Sequence, residues 1–125
     1  MNERQLVIAA SLLLLTGVVA GAFGAHALKA MLTADRLAVW QTAVLYQLVH
    51  GLGMLGIIAL SPRFPGALLR WAARLMLVGT LIFSGSLYVL VLSDTAWLGA
   101  ITPLGGLAFI GAWALVATAA YRAPR

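Results

Sequence analysis

The sequence predicts an all-α polytopic membrane protein, with four transmembrane helices and a short interfacial helix between spans one and two. Three observations carry this. Hydrophobic residues make up 63% of the 125 positions and charged residues only 9%, with a mean hydropathy of +1.04, a balance too apolar for a soluble globular domain. Four apolar stretches each match the ~20 residues needed to cross ~30 Å of hydrocarbon. Polar or turn-forming segments separate them. No linker, charge run, low-complexity tract or internal repeat divides the chain, so it reads as one domain over residues 1–125.

The first span is the uncharged run from Gln5 to Ala25. A signal peptide is the competing reading, because Arg4 precedes the run and Ala25-His26-Ala27 resembles a small-residue cleavage site; the run is longer than a usual signal core. Next comes HALKAMLTADR, too polar for the membrane interior, with Leu28, Met31 and Leu32 on one helical face, which predicts a short interfacial helix. Thr33 is placed to cap span two, with Asp35 in its first turn, where the helix dipole favours an acid. Span two runs from Leu37 to Leu60 and ends at Ser61-Pro62, with Pro65-Gly66 close behind. Span three starts near Trp71, carries its last charge at Arg74 and ends at Leu92. Thr102-Pro103 reads as an N-cap followed by proline at the first helical position, opening a fourth span that reaches Tyr121. In lipid, every backbone group must be satisfied internally, so all four spans are helices.

Orientation follows from the basic residues. Arg4, Arg63, Arg70, Arg74, Arg122 and Arg125 share one side; only Lys29 and Arg36 lie on the other. That asymmetry places both termini in the cytoplasm and the chain, multi-pass, in a bacterial inner (plasma) membrane. Trp40 and Trp97 fall at the outer interface, and Trp71 and Tyr121 at the inner one, where aromatic rings anchor to headgroups. The same topology accounts for a pI near 10.9 without nucleic acid: the basic residues form no aromatic-interleaved patch. The lipid bilayer is the partner the composition implies, with a homo-oligomer or a larger membrane complex as further partners left open.

Lipid supplies no hydrophobic drive for helix association, so contact depends on small residues, and the chain has thirteen glycines. Gly17-x-x-x-Gly21 and Ala20-x-x-x-Gly24 mark a contact face on span one, and Ala108-x-x-x-Ala112 one on span four. The polar residues give a second pattern. Ala43, Gln47, His50, Met54 and Ile57 recur at alternating intervals of four and three, which sets Gln47 and His50 on one face of span two with Tyr46 a turn before His50. On span three, Thr80, Ser84 and Tyr88 form an i+4 stripe. Both stripes should face protein, since an unpaired carboxamide or imidazole in hydrocarbon costs several kcal/mol by transfer estimates, about 4–8 into an alkane. Counting along the spans puts His26, Gln41, Tyr46, Gln47, Ser84, Ser86, Tyr88 and Thr102 in the outer half or at its surface and His50 near the middle. This set is the candidate polar cluster or ligand-binding site: either a buried hydrogen-bond network or a shallow pocket.

Four segments then carry a resemblance. GAFGAHALK (from Gly21), WQT…YQLVH (Trp40 to His50), FSGSLYVLVL (from Phe83) and ITPLGGLAFIGAWAL (from Ile101) resemble, in order, the signature segments of the domain of unknown function 423 family. These are small bacterial inner-membrane proteins with eukaryotic transmembrane relatives. The resemblance spans nearly the whole chain and implies a four-helix membrane protein; it implies no activity. Its signature glycines, Gly21, Gly24, Gly85, Gly105 and Gly106, join Gly17 as expected helix-packing positions. Family members often carry a charge between the Gln41-Thr42 and Tyr46-Gln47 pairs, where Leu45 stands here.

Chemistry finds little support. Without cysteine there is no thiolate nucleophile or thiolate metal site. His26 and His50 differ in depth by roughly 10–20 Å at 1.5 Å per residue, too far to ligate one haem between them, and no cofactor is implied. No His-Glu-x-x-His stretch exists. His50 is a potential base for Ser84 or Ser86, but no buried acid is present to orient it. The leading expectation is a non-enzymatic structural or accessory membrane component, with His50 satisfied by Gln47, Ser84 or Tyr88. The alternatives are a small-solute or proton transporter or channel component, and a binder of a hydrophobic ligand such as a lipid or quinone.

Overall fold

The computed structural model describes all residues from Met1 to Arg125. Four helices follow one another: α1 (Glu3–His26), α2 (Ala34–Leu60), α3 (Leu68–Ser93) and α4 (Thr102–Arg122). At 1.5 Å per residue they are roughly 30–40 Å long, enough to cross a bilayer. All four are apolar enough to do so.

The helix ends follow from local chemistry. Asn2 and Gln5 form a reciprocal capping box at the start of α1. The Thr33 hydroxyl accepts from the Arg36 amide and caps α2, as its position suggested. The turn between α2 and α3 closes through Gly66, whose φ of +119° is a conformation that side chains other than glycine's rarely adopt. α3 ends at Asp94, left-handed at φ 53°, and the Asp94 carboxylate accepts from the Arg36 guanidinium at 2.9 Å, tying the start of α2 to the end of α3.

Two expectations about these ends change. The segment between spans one and two does hold a short helix, but it is a single 3-10 turn over Leu28–Ala30. Leu28 is buried among Trp40, Val44, Leu90 and Val91, while Met31 points away, 76% exposed. Of the expected apolar face, Leu28 plugs the bundle and the half-buried Leu32 packs against the same cluster, so Met31 alone faces away. A further 3-10 turn, Ala96–Ala100, precedes α4, so Ile101 rather than Thr102 is the N-cap residue. Thr102 is freed from capping and turns its hydroxyl to α3.

α1 packs on α2, α2 on α3 and α3 on α4, so α2 and α3 form the centre and α1 and α4 stand on the outside. The α1 contact face reads Leu6, Ala10, Leu13, Gly17 and Gly24. A Cβ on Gly17 would meet Leu48, one on Gly21 would meet Val44, and one on Gly24 would fall 2.6 Å from the Trp40 ring. These glycines are thus spent on α2, within the chain. The closest helix approach lies between α3 and α4, where a Cβ on Gly105 would stand 2.5 Å from the Phe83 amide nitrogen and 2.7 Å from the Gly79 carbonyl oxygen. Gly79, which no spacing motif marks, is half of that contact. Gly85 and Gly106, expected at interfaces, are different: a methyl group added at either would meet nothing within 4 Å. Gly106 sits beside the α3–α4 contact, and Gly85 lines an open groove with Thr16 and Gln47.

Two apolar clusters result. One, around Leu6, Met54, Leu69 and Met76, fills the half nearer the termini; the other, around Leu28, Trp40 and Leu90, fills the opposite end. A polar layer lies between them.

Candidate functional site

The polar layer starts from the α2 stripe. Ala43, Gln47, His50, Met54 and Ile57 are all buried, as the spacing required. Gln47 stands at the middle of α2. Its Nε2 donates to the Leu13 carbonyl and to the Thr16 hydroxyl, both at 2.8 Å, and its Oε1 accepts from the Tyr88 hydroxyl at 2.6 Å. One carboxamide therefore joins α1, α2 and α3, with both N–H groups and the carbonyl engaged. Thr16 can accept because its own proton goes to Leu12 O at 2.7 Å. Ser84, one turn before Tyr88, donates to Ala43 O at 2.7 Å and pins α3 to α2.

His50 lies one turn further along α2 and belongs to a different group. Its Nδ1 is 2.8 Å from Tyr46 O, and its Nε2 is 3.1 Å from Nε1 of Trp113 on α4. The Phe109 ring stacks on the imidazole at 3.6 Å between centroids, and Tyr46 stacks on it at 5.8 Å. The partners expected for His50, Gln47, Ser84 and Tyr88, are therefore not its partners. The spacing was right about the face but not about the neighbour: α4 reaches the imidazole from the side opposite α1.

A third pair sits nearer the outer end, where the Ser86 and Thr102 hydroxyls lie 2.6 Å apart between α3 and α4. Ser86 also lies 2.9 Å from Phe83 O, so it donates there or to Thr102. His26 ends α1 exposed, and Gln41 is exposed on α2. The nine candidate residues thus divide into a Gln47–Tyr88 pair with Ser84 alongside but bonded separately to Ala43 O, a His50–Tyr46 group and a Ser86–Thr102 pair, with His26 and Gln41 outside all three. They do not line one cavity. A groove of about 180 Å³ runs past Thr16, Gln47, Ser84 and Tyr88, and a separate one of about 270 Å³ past Leu45, Tyr46, Val49 and His50.

Spacing in the sequence does not single out Thr16, Phe109 or Trp113. Trp113 is exposed on one side, and its helix carries no other polar group at that depth to mark a face. Thr16 had a signal: it adjoins Gly17, on the glycine face that meets α2. Trp40 is a correction of the opposite kind. It is 5% exposed, with its indole N–H donated to Ala20 O at 2.9 Å and its ring against Tyr88, so it is a packing residue and not a headgroup anchor. Trp97, Trp71 and Tyr121 are exposed. No three His, Cys, Asp or Glu side chains come together in a group able to hold a metal ion.

Comparison with known proteins bears on this arrangement. The family model described as "Protein of unknown function (DUF423)" matches residues 20–106, which take in Trp40, Gln47, His50, Ser84 and Tyr88. UPF0382 membrane protein SH2409 of Staphylococcus haemolyticus is 40% identical over 119 residues, 95% of this chain and 97% of its own. UPF0382 membrane protein YwdK of Bacillus subtilis is 40% identical over 120 residues, 95% of this chain and 98% of its own. UPF0382 inner membrane protein YgdD of Escherichia coli K12 is 36% identical over 125 residues, 100% of this chain and 95% of its own. No solved structure matches the chain. With four helices long and apolar enough to span a bilayer and relatives matched nearly end to end, the chain belongs to the DUF423 family and is an integral protein of the inner membrane.

Proposed function

We propose that the chain is a structural or accessory component of the membrane, whose polar residues fix its own helices and whose apolar faces meet lipid and neighbouring proteins. The observation that carries this reading is the Gln47 side chain, whose amide and carbonyl groups are all engaged by Leu13, Thr16 and Tyr88. A solute or proton path needs groups that can exchange a protein partner for the solute, and membrane transporters build such paths from ionisable side chains or broken helices at the midplane. The acidic residues here, Glu3, Asp35 and Asp94, stand at helix ends. Ser84 and His50, the nearest approach to a nucleophile and base, are bonded elsewhere, which favours a non-enzymatic role. The outer faces of α1 and α4 present Leu12, Leu15, Val18, Leu104, Leu107 and Ile110, suited to lipid or to another transmembrane helix. On this reading both termini face the cytoplasm, as the distribution of arginines favours.

The test has two arms. Liposomes containing the protein should show no more proton or small-solute flux than empty ones; flux that disappears in folded His50→Ala and Gln47→Ala variants would replace this reading with transport. Capture from cells at native expression, in mild detergent, should recover another membrane protein. Recovery of the chain alone counts against an accessory role.

A further inference from the structure

The end of the molecule that holds both termini carries a cleft unrelated to the polar layer. It has a volume of about 270 Å³ and lies between α1 and α3 with α2 as its floor. Leu6, Ile57 and Leu69, all core residues, form its apolar wall. Glu3 and Arg70 are the two charged residues that line it. α1 leans on α2 and scarcely touches α3, so the gap between the outer two walls is not closed by helix packing.

The charges are the informative part. Glu3 and Arg70 border one cleft, yet the chain's one ion pair, Arg36 with Asp94, is at the opposite end of the molecule. Two opposite charges over an apolar slot match a molecule that has an anion, a cation and a hydrocarbon chain. An acidic headgroup would meet Glu3 unfavourably, and a simple fatty acid would leave Glu3 without a counter-charge. The volume, just under the ~300–1,000 Å³ of small-molecule sites, suits a headgroup and the start of one chain rather than a whole lipid. Basic pockets between transmembrane helices are an established mode of headgroup recognition, and here the carboxylate adds a second, opposite contact.

We propose that this cleft binds a phospholipid with a primary ammonium headgroup, in the leaflet that faces both termini. Arg70 takes the phosphate, the ammonium donates its N–H groups to the Glu3 carboxylate, and the apolar lining at the half-buried Ile58, backed by Leu6, Ile57 and Leu69, receives the first part of an acyl chain. The site goes beyond the accessory role proposed above and does not depend on it: a transporter with the same cleft would bind the same lipid.

The experiment is native mass spectrometry of the full chain, loaded in turn with ethanolamine, choline and glycerol phospholipids of identical acyl composition. The wild type should retain the ethanolamine lipid best, because the choline cation offers no N–H and the glycerol headgroup no positive charge. Glu3→Gln should reduce the preference for ethanolamine over glycerol by about fivefold, the scale of one partly screened ion pair. Arg70→Gln should lower retention of all three, and Arg70→Lys, which keeps the charge, should restore it. Arg36→Gln, at the far end, should change nothing. Melting temperature checks that each variant is folded. Equal retention of the three lipids, or equal effects of Arg36→Gln and Arg70→Gln, would mean annular lipid only and would overturn the proposal.

Discussion

Nε1 of Trp113 stands 3.1 Å from Nε2 of His50, and this one contact fixes the protonation of the imidazole. An indole N–H can only donate, so Nε2 must accept. The ring proton then lies on Nδ1, which donates to Tyr46 O at 2.8 Å. His50 is neutral in this arrangement, with both nitrogens in use, and it fastens α4 to α2. Nitrogen NMR of histidine-labelled protein should therefore show His50 with a protonated Nδ1 and a bare Nε2; the opposite tautomer would contradict the contact.

Removing that donor should loosen α4. Trp113→Phe retains most of the ring but leaves Nε2 without its partner. Polar contacts between transmembrane helices are worth ~0.6 kcal/mol on average and reach ~1.7, and a buried group left unpaired adds to the loss. The expected cost is about 1–2 kcal/mol, read as a lower melting temperature in mild detergent. Trp113→Phe combined with His50→Phe should cost less than the sum of the two single changes, because no acceptor is then orphaned.

Gln47 and Tyr88 should behave as a coupled pair. Tyr88→Phe leaves Gln47 Oε1 unpaired, and Gln47→Leu leaves the Tyr88 hydroxyl unpaired and also removes the two bonds from Gln47 to Leu13 and Thr16 on α1. Gln47→Leu should be the more destabilising of the two. In the double variant, the Tyr88 change should cost about 0.5–1.5 kcal/mol less than it does alone. Strict additivity in thermal or denaturant unfolding would show that the 2.6 Å contact carries no energy.

These pairs also mark where the sequence stopped being informative. The buried face of α2 was legible because a 3.6-residue period reports which side of a helix is inward, and Ala43, Gln47, His50, Met54 and Ile57 obey it. Which helix that side meets is a long-range fact, and period carries none of it. Gln47 found Leu13 and Thr16, and His50 found Trp113, across 34, 31 and 63 positions. Trp40 misled for a related reason: tryptophan near a span end usually anchors to headgroups, and here the room left by Gly24 and the Ala20 carbonyl let this ring turn inward. Likewise glycine spacing marked a contact face on α1 but not the helix it meets, and it could not tell Gly105, in the α3–α4 contact, from Gly106 beside it.

That last distinction is testable by single methyl groups. Gly105→Ala would put a Cβ into the Phe83 backbone and the Gly79 carbonyl, forcing α3 and α4 apart at a cost of about 1–3 kcal/mol. Gly85→Ala and Gly106→Ala meet open space and replace a poor helix former with a good one, worth up to ~1 kcal/mol in water and less in lipid. The expected order of melting temperatures is Gly106→Ala and Gly85→Ala at or above wild type, with Gly105→Ala well below. A Gly105→Ala protein as stable as wild type would show that the two helices can separate without loss.

The proposed orientation can be read with single cysteines, because the chain has none of its own. Ala30 lies exposed at the end of the 3-10 turn between α1 and α2, and Pro124 lies exposed after α4. Replacing either with cysteine leaves every arginine and lysine in place, so the charge asymmetry that sets orientation is undisturbed. A membrane-impermeant maleimide added to intact cells, with the outer membrane made permeable where one is present, should label Ala30→Cys and spare Pro124→Cys until the inner membrane is opened. Two arginines at the tail, Arg122 and Arg125, then add to Arg4, Arg63, Arg70 and Arg74 on the retained side. Labelling of Pro124→Cys in intact cells would reverse the orientation and place the Glu3–Arg70 cleft in the outer leaflet.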